Sequence, residues 1–180
     1  FDGDGRPEVA TAGANRYTVV DFNRTGFGAD DNTDEEVFQP GGDLPPAVGA
    51  IYARWRNPTI DASSNGTGSA VFDFQGDGEA EVLYGDECYL RVYEGSTGNI
   101  IAEIPNSSIT NRELPVVVDV DADGRSEVIV VANNPADAQR CTDADANYPL
   151  PGGNKGLYVY GDVNNEWVRT RQVWPSHTYH

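Results

Sequence analysis

Apolar and polar residues alternate along this chain in short runs, and no stretch carries convincing helical periodicity. Tyr89-Leu-Arg-Val-Tyr93 alternates and stops at Glu94-Gly-Ser-Thr-Gly98, a hairpin-turn signal. Around it the pattern predicts strands at 69–74, 80–84 and 99–104, the last ending at Pro105. A second set of the same kind is predicted at 114–119, 126–132, 156–160 and 166–170, and a third at 7–12, 16–22 and 51–56. Two stretches break the pattern. Residues 24–47 and 133–154 are rich in Pro, Gly, Asp and Asn and read as loop insertions.

Each set of strands carries an acidic, glycine-closed loop that ends in a glutamate. Asp119-Val-Asp-Ala-Asp-Gly124 leads to Glu127 and the apolar run Val128-Ile-Val-Val131. Asp73-Phe-Gln-Gly-Asp-Gly78 leads to Glu81 and Val82-Leu-Tyr84. Phe1-Asp-Gly-Asp-Gly5 leads to Glu8 and Val9-Ala10, with its first ligand position falling before residue 1. Side-chain oxygens at positions 1, 3, 5 and 9, plus the carbonyl of position 7, converge only if the chain curls tightly. Glycine at position 6 permits that curl. The candidate ligands are Asp119, Asp121, Asp123, Arg125 (carbonyl) and Glu127; Asp73, Gln75, Asp77, Glu79 (carbonyl) and Glu81; and Asp2, Asp4, Arg6 (carbonyl) and Glu8.

Hard oxygen donors in this number suit Ca2+. An EF-hand would place a bidentate Glu at position 12, where this chain has Val130 and Tyr84. One such loop alone would read as a solvated acidic turn. Turn chemistry, however, does not require a Glu at the same offset each time. The loop at Asp73 is the weaker complete copy, because Gln75 offers a neutral amide where the others have a carboxylate.

The copies recur at Asp4, Asp77 and Asp123, 73 and then 46 residues apart. The shorter spacing matches a four-stranded propeller blade of roughly 40–50 residues. The longer is one blade plus the 24–47 insertion. The expected fold is all-β: consecutive four-stranded antiparallel blades of a partial propeller at 1–68, 69–113 and 114–180. That number of blades is fewer than the four to eight that close a propeller. Together with a start inside a loop, this leads us to expect a segment of something longer.

The pattern Asp-x-Asp-x-Asp-Gly-x-x-Glu before an apolar run resembles the FG-GAP/VCBS-type repeat of integrin-α-like β-propellers. Further landmarks, Asp61-Ala-Ser-Ser64, Val71-Phe-Asp-Phe74, Gly85-Asp-Glu-Cys88 and Val116-Val-Val-Asp119, are similar to bacterial secreted or surface proteins with such repeats. The likeness covers nearly the whole chain outside residues 24–47 and 135–153. It implies the propeller fold and calcium loops. No repeat has a Phe-Gly…Gly-Ala-Pro signature, so it implies no integrin-type ligand site.

Composition narrows the partners. Twelve Lys and Arg against 29 Asp and Glu give a formal charge of −17, which repels nucleic acid and anionic membrane surfaces. No transmembrane run occurs, so no membrane insertion is expected. Nine Tyr, six Phe and three Trp argue against disorder. Cys88 and Cys141 are the only cysteines, and an even count in a chain of extracellular character suggests a disulfide, with two buried free thiols as the alternative. Sequons at Asn23, Asn65 and Asn106 are expected to carry nothing in a bacterial protein.

No catalytic grouping stands out. His177 and His180 have no nucleophile at motif spacing, and neither a Gly-x-Ser-x-Gly nor a phosphate-loop lysine is present. Trp174 and its neighbours in the tail read as packing between blades. The expected role is therefore a calcium-stabilised module on the cell surface or outside the cell, not an enzyme. It would bind a protein or glycan, or further copies of itself. The alternative is the non-catalytic part of a secreted propeller polysaccharide lyase or hydrolase.

Overall fold

The structure is a computed structural model that describes residues 1–13, 15–21, 37–38, 51–61, 68–110, 113–133 and 138–173. Its strands are β1 Val9–Gly13, β2 Arg16–Asp21, β3 Val37–Phe38, β4 Ile51–Pro58, β5 Ser69–Phe72, β6 Glu81–Gly85, β7 Tyr89–Tyr93, β8 Ile100–Pro105, β9 Val116–Val118, β10 Glu127–Ala132 and β11 Gly156–Tyr160. One short helix, α1, spans Ala138–Ala144. Among the described residues the chain is all-β apart from those two turns of helix.

Three antiparallel sheets form, in the orders β1-β2-β4-β3, β5-β6-β7-β8 and β11-β10-β9. We call them sheets one, two and three. Sheet two is a plain meander, which short hairpin turns make the simplest pairing. Bulges interrupt the ladders at Val19/Val20 in sheet one and at Val92/Tyr93 in sheet two.

Sheet two is covered on both faces. Against sheet one, Tyr17, Val19 and Trp55 meet Val82, Tyr84 and Tyr93 in a fully buried cluster. Against sheet three, Leu83, Leu90 and Phe74 meet Val117, Val128 and Val130. This explains why β6 is buried at every position although an alternating strand ordinarily buries only one face. The edge between sheets one and two is further pinned by the β7–β8 turn. Trp55 Nε1 donates to the Gly95 carbonyl at 2.8 Å, and Asn57 Nδ2 donates to that of Gly98. A Cβ on Gly98, which sits at φ +77°, would come within 2.5 Å of the Trp55 ring.

Three features differ from the sequence expectation. The 24–47 insertion contributes a strand, β3, paired with the start of β4. Within the 133–154 loop, Ala138–Ala144 forms a helix, whose seven residues are too few for a periodic signal to show. Residues 166–170 are not a strand, so sheet three has β9, β10 and β11 among the described residues. Their backbone bonds go to loops instead: the Val168 N–H donates to the Phe74 carbonyl at 3.0 Å. The sequons at Asn23 and Asn65 and the tail residues Trp174, His177 and His180 lie outside the described residues. Asn106 is 1% exposed and its amide donates to the Val131 carbonyl, so it is closed to modification in the fold.

Cys88 and Cys141 form a disulfide with Cα atoms 5.5 Å apart. Tyr89 and Tyr148 meet edge-to-face beside it, and the Tyr148 hydroxyl donates to the Cys88 carbonyl. The bridge closes 53 residues of chain, for which a loss of about 2–4 kcal/mol on reduction is expected. The loosening should be local. Hydrogen exchange after reduction should rise in residues 138–154 and stay low in β6 and β7; uniform exchange across the chain would contradict this.

Candidate metal centre

The acidic loops sit at equivalent places. Each precedes the strand that begins with, or just after, its glutamate: β1, β6 or β10. The loops at Asp73 and Asp119 also connect the first two strands of their sheets. Position numbers below count from Asp73 or Asp119, and Phe1 takes position 2.

Equivalent residues make equivalent bonds. The position-2 nitrogen donates to the glutamate: Phe1 to Glu8, Phe74 to Glu81 at 2.9 Å and Val120 to Glu127 at 2.8 Å. The position-7 N–H donates to the position-5 carboxylate: Arg6 to Asp4, Glu79 to Asp77 and Arg125 to Asp123, all at 2.8–2.9 Å. In the two complete loops the position-6 glycine N–H donates to the first Asp, Gly78 to Asp73 and Gly124 to Asp119. Positive φ recurs at positions 4 and 6. Gly3, Gly76 and Ala122 lie at +74°, +73° and +66°, and Gly5, Gly78 and Gly124 at +79°, +95° and +88°. An alanine held there is strained by about 1 kcal/mol, which only a well-determined loop sustains. The internal repeat is thus a repeat of geometry as well as of residues.

The loops differ in what answers their negative charge. In the first, oxygens of Asp2, Asp4 and Glu8 lie within 4.8 Å of one another. An arginine from a distant strand reaches it, Arg54 Nη1 on Asp2 at 2.8 Å. In the second, the Asp73 carboxylate is occupied by the N–H groups of Gly76, Asp77 and Gly78. The surroundings of Gln75 turn its nitrogen, not its oxygen, toward Glu81, 3.0 and 2.7 Å from the two carboxylate oxygens. An amide N–H₂ therefore bridges where a ligand oxygen was expected, and Asp73, Asp77 and Glu81 do not draw together as a cluster.

The third loop has no such substitute. Oxygens of Asp119, Asp121 and Glu127 lie within 4.8 Å of one another, and Asp119 is 3% exposed. Asp119 Oδ2 accepts from the Gly124 N–H and from Gln172, while Oδ1 is buried with no hydrogen-bond partner among the described residues. Among those residues no Lys or Arg pairs with Asp119, Asp121, Asp123 or Glu127. Burial pushes the Glu127 carboxyl above its usual range; the Val120 N–H pulls it down, and Asp121, Asp123 and Asp119 push it further up. A buried carboxylate oxygen left unpaired costs about 1–3 kcal/mol or more. Two oxygens bound to one calcium at about 2.3–2.6 Å can stand no more than about 5 Å apart, and the cluster meets that limit. The residues fit the ion.

Sequence reasoning missed the groups that serve these carboxylates from elsewhere: Arg54 on Asp2, Asn165 on Asp123 and Gln172 on Asp119. No local spacing signals them, since they approach from strands and segments distant in the chain. Among the described residues no helix is long and apolar enough to cross a membrane.

No protein-family model matches the chain, and no curated protein matches it. Among solved structures, the crystal structure of the V. cholerae biofilm matrix protein Bap1 matches with a TM-score of 0.59 and 24% sequence identity. The match covers 93% of this chain but 22% of that one, so this chain spans about a fifth of its neighbour. At that identity the likeness is one of fold: this chain is similar in fold to part of the V. cholerae biofilm matrix protein Bap1.

Proposed function

We propose that this chain is a calcium-binding segment of an FG-GAP/VCBS-type β-propeller that works outside the cell, in a structural, adhesive or ligand-binding role and not in catalysis. The observation that carries the reading is the third loop, where Asp119, Asp121 and Glu127 converge and the buried Asp119 Oδ1 has no hydrogen-bond partner among the described residues. Calcium would be held by these residues with Asp123 and the Arg125 carbonyl, and it would supply the positive charge that lets several carboxylates share one site. Stacked sheets that share cores across both faces of sheet two support successive blades. The disulfide favours an oxidising compartment. The neighbour's description as a biofilm matrix protein favours an adhesive setting.

The outer face of sheet three points to the partner. Val131 pairs with Leu157, and Leu157 and Val159 are 65% and 47% exposed on β11, which among the described residues lies at the end of its sheet. Exposed apolar residues beside an open ladder invite another β-element. That element would be a further blade or a second copy of the chain, leaving protein or glycan ligands to bind the assembled surface. Light scattering in calcium tests this. Self-association should occur, and Leu157→Lys with Val159→Lys should reduce it. A monodisperse monomer at high concentration would overturn the assembly reading, and hydrolysis of an acidic polysaccharide by that monomer would overturn the non-catalytic one.

A further inference from the structure

Among the described residues, the segment after β11 does not rejoin its sheet. Residues 162–173 pass between the two complete loops and bond to both. The Val168 N–H donates to the Phe74 carbonyl at 3.0 Å, and the Asp119 N–H donates to the Arg171 carbonyl at 2.9 Å. The Trp167 ring lies 4.5 Å from that of Phe74, while Arg125 Nη1 donates to the Trp167 carbonyl. Two side chains reach the candidate ligands themselves. Asn165 Nδ2 donates to Asp123 Oδ2 at 2.7 Å, and Gln172 Nε2 donates to Asp119 Oδ2 at 3.2 Å.

The first two loops have no such intermediary. The Ala80 N–H donates straight to the Phe1 carbonyl at 3.1 Å, and a Cβ on Gly3 would come within 2.7 Å of the Gly78 oxygen. At the matching place in the second loop, a Cβ on Gly76 would instead meet Val168 Cγ1 at 2.9 Å. The segment takes, against the second loop, the place that the second loop takes against the first.

We propose that residues 165–172 are a strap locked by the cation of the third loop, with Asn165 and Gln172 as positioning residues for its ligand carboxylates. The inference rests on that loop holding a cation. Gln172 and the Gly124 N–H occupy Asp119 Oδ2, which leaves the buried Oδ1 to the ion. With the ion bound, Asp119, Asp123 and Arg125 are fixed, and so are the strap's anchors on them. Without it the carboxylates repel, the loop opens and the same anchors are lost together. Through Trp167 and Val168 on Phe74, the ion of one loop then governs the contact between sheets two and three.

The test is limited trypsin digestion of the whole chain, read by mass spectrometry at the exposed Arg169 and Arg171, with a parallel calorimetric calcium titration. Calcium should slow cleavage after both residues by about tenfold relative to chelator, because cleavage follows the open population. Asn165→Ala with Gln172→Ala should abolish most of that protection and weaken calcium binding several-fold, while circular dichroism shows the fold intact. Gln172→Glu should make cleavage more calcium-dependent, since it adds a carboxylate beside Asp119. Calcium that binds without changing cleavage at either arginine overturns the strap and leaves the metal site standing, as does wild-type protection in the double variant. Absence of calcium binding overturns both.

Discussion

Replacing Trp55 with alanine should cost about 3–5 kcal/mol, the range for deleting a large aromatic side chain from a core. Trp55 is wholly buried between sheets one and two, with its ring 5.8 Å from Tyr17 and 5.3 Å from Tyr93. It also holds the Gly95 carbonyl, so alanine would leave both a cavity and a lost bond. Trp55→Phe should cost less, because it keeps most of the volume and loses only the donor. Denaturant unfolding monitored by tyrosine fluorescence and circular dichroism gives the comparison. A loss below about 1 kcal/mol for alanine would mean that the two sheets do not depend on each other as the shared core implies.

Calcium should raise stability by a comparable amount. Binding to the native state alone adds about 2.7 kcal/mol per site at a hundredfold excess over Kd. In a chain of this size that corresponds to roughly 5–11 °C in the melting midpoint. Asp119→Asn should remove most of the gain and Asp123→Ala a large part of it, whereas Gln75→Ala should change little, because its amide faces Glu81 as a donor. The pH dependence should change sign with the ion. Glu81 and Glu127 are both raised by burial, so the folded chain holds their protons more tightly than the unfolded one. Their contribution is full below the ordinary glutamate range and fades as pH rises through the folded values. In chelator, stability should therefore fall from about pH 4 towards pH 7, and calcium, which binds the deprotonated loop, should oppose that fall. Identical melts with calcium and chelator at neutral pH would remove the structural role of the ion.

Much of this was readable in the residues. Alternation with a flanking turn placed β7 at its observed limits, Tyr89–Tyr93, and the β-branched and aromatic run at Gly156–Tyr160 did the same for β11. The loops were legible because a fixed offset between Asp and Glu is more than turn chemistry demands. Residues 166–170 misled for a physical reason. Glu-Trp-Val-Arg-Thr holds a short run rich in strand-forming residues, but the Val168 N–H is bonded to the loop carbonyl of Phe74 instead of to a neighbouring ladder. Such a run reports a chain with apolar residues to cover, not what covers them. Gln75 shows the same limit at atomic scale: composition offers an oxygen and a nitrogen, and only the position of Glu81 decides which faces inward. Arg54, Asn165 and Gln172 lie far in sequence from the carboxylates they serve, so only the packed sheets bring them into view.

The central claim is that the Asp119–Glu127 loop holds calcium, and a direct calcium titration of the whole chain tests it. Saturable binding should appear, in the range of about 10⁻⁴–10⁻³ M or tighter that extracellular calcium modules show. Asp119→Asn combined with Glu127→Gln should abolish the strongest site while leaving the sheets folded. No saturable binding at millimolar calcium, or binding that this double variant leaves unchanged, would contradict the account.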